Sequence, residues 1–292
     1  MAINYNEIIF LSYCKKFKSF GQTALFGRQR LANRDVVNKA LKKIIKREDY
    51  LKFQKTQWGN YCEKFISTIF DSISVDCFDV SDFEGANKIF DFNKDNKFQE
   101  TYDTFVDFGS LEHCFNTLQA MNNINSLVKK NGLIIHSLPA NNQFGHGFFQ
   151  FSPEFFLNYY SEVNGFKDTE IFLIQSDIDI KHVYKIKKDS ISLRKEIMSK
   201  FPLNIWVKTT KIEKKNLDYG YQKYYENRWL NYEKLSLEGK ITKKISQSFL
   251  YPYLRKIYNF YKIRSVAKYL LSFFEKKNSI DNYCTKIKIN NF

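Results

Sequence analysis

Three short runs rich in aromatic and β-branched residues each reach an aspartate: Ser74–Asp79, Lys88–Phe92 with Asp91 inside it, and Tyr102–Asp107. Runs of this length and composition read as strands. Gln22–Phe26 reads the same way and is stopped by Gly27, and Leu133–Leu138 is stopped by Pro139. Helical spacing fills the gaps. Val36, Val37, Ala40, Leu41, Ile44 and Ile45 share one face of a helix predicted over Val36–Lys46, with Asp35 as its cap. Tyr61, Phe65, Ile66, Ile69 and Phe70 predict a second helix over 61–71. Leu118, Met121, Ile124, Leu127 and Val128 point inward on a third, Leu111–Lys129, closed by Asn131-Gly132. Strands that alternate with helices are joined by right-handed crossovers, which lay the strands parallel in one sheet. Further runs at Ile171–Ile174, His182–Ile186 and Ile205–Lys208 predict an antiparallel edge on that sheet. The expected organisation is an α/β body over 1–215 and a basic, aromatic, helical extension over 216–292.

Charge divides the chain in a similar place. Of the net +15, residues 181–292 carry +17 and residues 1–180 carry −2. The basic part suits an anionic surface: nucleic acid, phospholipid or a phosphorylated substrate. Residues 244–277 interleave Phe249, Tyr253, Ile257, Phe260, Leu270 and Phe274 with lysine and arginine. Such a helix either lies on an anionic bilayer or packs on the body with its lysines in solvent. Five scattered cysteines make no CxxC pair, which excludes a zinc knuckle and a thioredoxin-like site. Their odd number and the lack of a signal peptide predict reduced thiols in a cytoplasm. No stretch reaches the roughly 18 apolar residues of a membrane span.

In an open α/β sheet, ligands bind in the crevice beyond the carboxyl ends of the strands. That places Asp79, Asp91 and the stretch Asp107-Phe-Gly-Ser-Leu-Glu-His-Cys-Phe-Asn116 at one edge. A carboxylate where Asp79 stands suits ribose hydroxyls. Asp91 beside Phe92 suits an adenine, whose amino group donates and whose ring stacks. Read singly, each acid also serves to end a strand or cap a loop. Glu112 and His113 are candidates for handling a proton, and Gly109 leaves room for backbone near a ligand. On one helix they point about 100° apart, so only one of the two would face the site.

Taken in order, Leu25-Phe-Gly-Arg-Gln29, Asp79–Ala86, Phe90-Asp-Phe-Asn93, Asp107–His113, Pro139-Ala-Asn-Asn142 and His146–Pro153 resemble a class I S-adenosylmethionine-dependent methyltransferase. The resemblance spans roughly residues 20–215. More narrowly, the chain is similar to a bacterial branch found near surface-polysaccharide genes. It implies a Rossmann-like methyltransferase fold: a mostly parallel central sheet, helices on both faces and an antiparallel edge. It also implies S-adenosyl-L-methionine as cofactor, held by Gly27, Arg28, Asp79, Asp91, Phe92, Asp107 and Gly109. The usual glycine-rich turn is reduced here to Gly27. Arg28 either grips the cofactor's carboxylate in its place or is an ion-paired surface arginine.

The loop Asn141–Pro153 is the candidate substrate loop. Gly145 and Gly147 flank His146, Asn141, Asn142 and Gln150 can bond sugar hydroxyls, and Phe148, Phe149 or Phe151 can stack on a sugar face. Ser152-Pro153 also reads as a helix start. The implied reaction is methyl transfer to an oxygen, less readily a nitrogen, of a sugar or polar metabolite in capsule or lipopolysaccharide synthesis. His113 or His146 would take the proton and Glu112 would assist. No metal-ligand cluster is read from the sequence and no metal is expected. A methyltransferase fold acting as a binding subunit is the competing class. Nucleic-acid methylation is a further one, set back by the lack of an Asn/Asp-Pro-Pro-aromatic or Pro-Cys motif. A lipid-linked acceptor would draw the basic extension to the inner face of the membrane.

Overall fold

The computed structural model describes residues 2–96, 98–99, 101–176, 179–188, 199–215, 217–230, 244, 247–249, 252–253 and 283–292. They form two compact units. The first takes in 1–186, 199–219 and 286–292, and the second 187–198 and 220–285. The last seven residues thus return to the first unit, whereas the sequence reading placed all of 216–292 in one extension.

The first unit is built on one mixed sheet. Its strands are β1 (Gly21–Phe26), β2 (Ser72–Asp79), β3 (Lys88–Ile89), β4 (Tyr102–Phe108), β5 (Val128–Asn141), β6 (Phe166–Gln175), β7 (His182–Ile186), β8 (Leu203–Lys211) and β9 (Cys284–Lys288). Across the sheet they run β9-β7-β6-β8-β5-β4-β1-β2-β3. Neighbours from β3 to β5 are parallel. β8 is antiparallel to both β5 and β6, and β7 is antiparallel to β6. The expected parallel core with an antiparallel edge is therefore present.

Alternate residues serve the two faces. Leu25, Cys77, Val106 and Ile135 pack with helices Tyr5–Lys15, Arg34–Ile44 and Glu63–Ile69 in one large core. Phe10 of the first helix stacks on Trp206 at 4.5 Å. His136 points to the other face, where it meets Phe156 and Tyr160. Tyr160 in turn touches Met121 of helix Thr117–Leu127. Helices thus cover both faces. The helix Tyr5–Lys15 starts in a capping box: Asn4 accepts from the helix amides, and Glu7 accepts from the Asn4 amide.

Several local expectations change. Asn33, not Asp35, caps the second helix, by accepting from the Val36 amide. The helix predicted over Leu111–Lys129 is two elements: a single 3₁₀ turn, Leu111–His113, and helix Thr117–Leu127 capped by Asn116. Cys114 is extended between them, and Leu118 stays partly exposed. Pro139 lies inside β5, opposite Asn204 where the β8 register shifts. A ladder irregularity is a place where a residue without an N–H is tolerated.

The second unit contains helix Lys223–Leu230, in which Lys223 and Glu226 pair at 3.5 Å and Tyr221 meets Trp229 edge-on. The basic amphipathic helix read over 244–277 lies almost wholly outside the described residues. Among the described residues no helix is long and apolar enough to cross a membrane.

Candidate functional site

The chain passes from β1 outward to β2 and β3, then returns to β4 and β5 on the opposite side of β1. The gap between β1 and β4 is thus a topological switch point, where adjacent turns diverge and leave a crevice. Phe26 lies level with both Phe78 and Asp107, so β1, β2 and β4 end in one row, while β5 continues past His136, which is level with Asp107. Beyond that row is a cavity of about 280 Å³. It is lined by the turns after β1, β2, β3 and β4: Phe26-Gly27, Phe78–Val80, Phe90–Asn93 and Gly109-Ser110, with His113 and Cys114 beyond them.

Gly27 turns with φ +73°, and a Cβ there would come within 2.8 Å of Ser110 Oγ. Ser110 Oγ donates to the Phe26 carbonyl at 2.7 Å, which ties the β1 and β4 turns together. Gly109 also turns with a positive φ, +84°. Both turns need glycine, and both present backbone to the cavity. Asp79 accepts from the Val80 amide and keeps an open side on the cavity. Asp91 also reaches the lining. Hydrogen bonds from the Asn93 side chain and amide hold its carboxyl below the usual carboxylate range.

Three cofactor expectations meet a different arrangement. Phe92 is only 2% exposed, and its ring packs at 4.2 Å on Phe26 and edge-on to Phe78. It builds the cavity floor and offers little open face to an adenine. Arg28 lies outside this cavity. Its Nε donates to Glu63 at 2.6 Å, its Nη1 to the Glu84 carbonyl at 2.7 Å, and its guanidinium covers the Tyr61 ring. It lines a separate cavity of about 430 Å³ with Trp58 and Asn87, where it is paired with Glu63. Asp107 is fully buried. Its Oδ2 faces His136 Nδ1 at 2.8 Å, and His136 Nε2 faces the Tyr160 hydroxyl at 2.6 Å. Its Oδ1 accepts from the Ser110 and Leu111 amides. Asp107 thus shapes the turn that carries Gly109 and Ser110 without reaching the cavity.

The same turn delivers Glu112 and His113. Their separation on one α-helix does not apply, because the 3₁₀ turn ends at once. Glu112 is fully buried, and neither of its carboxylate oxygens accepts a hydrogen bond. Burial, reinforced by the charge of Asp107, pushes its pKa up to about 8. His113 Nε2 lies 3.9 Å from Glu112 Oε1, and His146 Nε2 lies 3.5 Å from the same atom. Burial and the neighbouring His146 lower the His113 pKa. Donor atoms of all three residues lie within 4.8 Å of one another. Residues 112, 113 and 146 have no recognisable ligand spacing, and a loop fold brings them together.

That loop closes directly over Glu112. The Phe148 amide donates to the Glu112 carbonyl at 2.9 Å, and a Cβ on Gly147 would meet Glu112 Cγ at 2.8 Å. Gly147 is therefore required for close approach, which seats His146 beside the carboxylate. The amides expected to meet substrate mostly hold the loop itself. Asn142 Nδ2 donates to the Ser199 and Phe201 carbonyls, and Gln150 Oε1 accepts from the Gln143 amide. Asn141 Oδ1 accepts from the Asn142 amide. Gln143, which the sequence reading passed over, anchors the loop to Leu203 and Asn204 of β8. Phe149 is half-buried under a rim whose open faces belong to Phe115 and Phe148, in edge-on contact at 5.7 Å. Phe148 is one of the three aromatics read as stacking candidates, whereas Phe115, which a continuous helix would bury beside Leu111, is exposed because the 3₁₀ turn ends before it.

No family model matches the chain, and no curated protein matches it. Solved structures similar to it include the N-methyltransferase NodS from Bradyrhizobium japonicum WM9, at 9% identity over 72% of this chain and 94% of that one, with a TM-score of 0.37. The O-methyltransferase of a trans-AT polyketide synthase from Brevibacillus brevis, in complex with S-adenosyl-L-homocysteine, is 12% identical over 72% of each chain, with a TM-score of 0.36. YcgJ from Bacillus subtilis is 8% identical over 72% of this chain and 98% of its own, with a TM-score of 0.34. At such identities and scores the site has to be read from its own residues.

Proposed function

We propose that the cavity between β1 and β4 binds S-adenosyl-L-methionine and that the chain transfers its methyl group to an acceptor oxygen. The observation that carries this is the convergence of four strand-end turns on one cavity with His113 at its mouth. The residues fit the cofactor's two ends. Asp79 and Asp91 offer carboxylates to the ribose and adenine. Gly27 and Gly109 turn with positive φ and line the cavity, so bare backbone faces the methionine end. When bound, the cofactor supplies a methyl group already activated by a sulfonium. The protein's work is then placement, exclusion of water and removal of one proton. His113 and His146 stand where the acceptor's proton would leave. Phe115 and Phe148 give an apolar rim on which a sugar face can lie, which supports a sugar as acceptor; its place in surface-glycan synthesis rests on the sequence resemblance.

Calorimetric titration with S-adenosyl-L-homocysteine tests the cofactor. Binding is expected, weakened about tenfold or more in Asp79→Ala, since a hydrogen bond to a charged group is worth about 1.5–3 kcal/mol. The melting temperature of Asp79→Ala should stay near that of the parent protein. No binding of S-adenosylmethionine or its product at millimolar concentration would refute the reading.

A further inference from the structure

We propose that Glu112, His113 and His146 form a binding site for a divalent transition-metal ion, Zn²⁺ by ligand type, with coordination positions left open toward the cavity mouth. Two independent observations meet here. One is convergence: among the described residues, these three donors alone are gathered within 4.8 Å. The distances from Glu112 Oε1, 3.5 Å to His146 Nε2 and 3.9 Å to His113 Nε2, need little adjustment. Two ligands bound tetrahedrally to Zn²⁺ at about 2.0–2.1 Å lie about 3.3 Å apart. Both imidazoles are partly exposed, 55% for the His113 side chain and 41% for His146, so their rings can close that gap.

The other observation is the state of Glu112. A fully buried carboxyl with two oxygens that accept no hydrogen bond is costly to fold around. A cation bound to those oxygens compensates that cost directly. The loop adds preorganisation, because the Phe148–Glu112 hydrogen bond and the close packing of Gly147 hold His146 in reach before any ion arrives. Two imidazoles and one carboxylate on one side of a site are the donor set of open zinc and non-haem iron centres, where water or substrate completes the coordination. Sulfur ligands are not involved: all five cysteines are buried, and none belongs to the cluster.

Metal binding stands without the methyl-transfer reading. On that reading, the open position would take the acceptor's oxygen and acidify its hydroxyl, so that the imidazoles would act as ligands instead of free bases.

The full chain, stripped with EDTA and dialysed, is titrated with Zn²⁺ by calorimetry and with Co²⁺ by visible absorption. One ion per chain at micromolar or tighter affinity is expected, with the absorption of a nitrogen- and oxygen-ligated Co²⁺. Glu112→Gln and His146→Ala should each weaken binding by about 100-fold or more, beyond the 10- to 100-fold typical of groups that only support a ligand. His182→Ala, outside the cluster, should bind as the parent does. Melting curves of the stripped variants show that they are folded, and Gln preserves the shape of the buried Glu112. The proposal is overturned if the stripped protein takes up no ion, or if Glu112→Gln and His146→Ala bind as tightly as the parent. S-adenosyl-L-homocysteine titrated into the stripped protein reports separately on the cofactor site, so the two readings can fail independently.

Discussion

Replacing Asp107 tests whether the turn at the cavity is held from behind. Its carboxylate serves three donors: His136 Nδ1 at 2.8 Å, the Ser110 amide at 3.1 Å and the Leu111 amide at 3.3 Å. Asp107→Ala leaves all three without that acceptor. The His136 ring and the Leu111 amide are buried, and each abandoned donor costs about 1–3 kcal/mol. Ser110 is part-exposed, so water can replace its lost partner. The expected loss is about 3–5 kcal/mol, including a small cavity term. Asp107→Asn keeps an oxygen for the two amides but turns an N–H₂ toward His136. The imidazole must then carry its hydrogen on Nε2 and donate to Tyr160, whose hydroxyl can turn to Met121 Sδ, 3.6 Å away. That exchange should cost about 1–2 kcal/mol. Urea denaturation at neutral pH gives both values, and ¹⁵N imidazole shifts report the tautomer. An alanine variant within about 0.5 kcal/mol of the parent, or an asparagine variant less stable than the alanine one, would refute the argument.

Two further outcomes concern groups away from the cavity. Burial raises the Glu7 pKa from 4.5 to about 7, so below pH 4.5 it is protonated in both folded and unfolded chains and contributes nothing. Between pH 4.5 and 7 only the unfolded chain ionises, and stability falls by at most about 3 kcal/mol before levelling off. Glu7→Gln should remove that slope, and denaturation curves of equal pH dependence in the two proteins would count against it. Arg28→Ala should destabilise the chain by about 1–2 kcal/mol through loss of its partly exposed contacts to Glu63 and Glu84, yet leave S-adenosyl-L-homocysteine affinity unchanged. A matching loss of affinity in calorimetry would return Arg28 to the cofactor.

The strands were legible because their evidence is local. β1, β2, β4 and β5 contain the runs read at Gln22–Phe26, Ser74–Asp79, Tyr102–Asp107 and Leu133–Leu138, though β5 extends at both ends of its run and passes through Pro139, and their parallel pairing followed from alternation with helices. The helix Tyr5–Lys15 was not legible. It buries Tyr5 to Leu11 continuously, so it carries no polar stripe to set a helical period. The break after His113 was hidden for the opposite reason: helical periodicity resumes at Leu118, and only the Asn116 cap marks the new start. The Glu112–His146 contact depends on Gly147 packing against Glu112, 35 positions away in sequence, and no spacing rule encodes it.

The three aspartates that end successive parallel runs look equivalent in the sequence, yet their surroundings give them different work. β3 is a two-residue edge strand, so the chain leaves the sheet before Asp91, and that carboxylate is free to organise its own loop through Asn93. β2 lies between β1 and β3, and Asp79 sits at its last residue, half-open to the cavity. β4 is flanked by β1 and β5 and runs one residue past its aspartate. Asp107 is therefore still inside the sheet, where a charge needs partners, and His136 on the adjacent strand is level with it. Depth in the sheet decides which acid can meet a ligand. By that criterion Asp79 is the strongest of the three for direct recognition, and Asp107 sets the position of the glycine turn and of the Glu112–His113 pair that follows it.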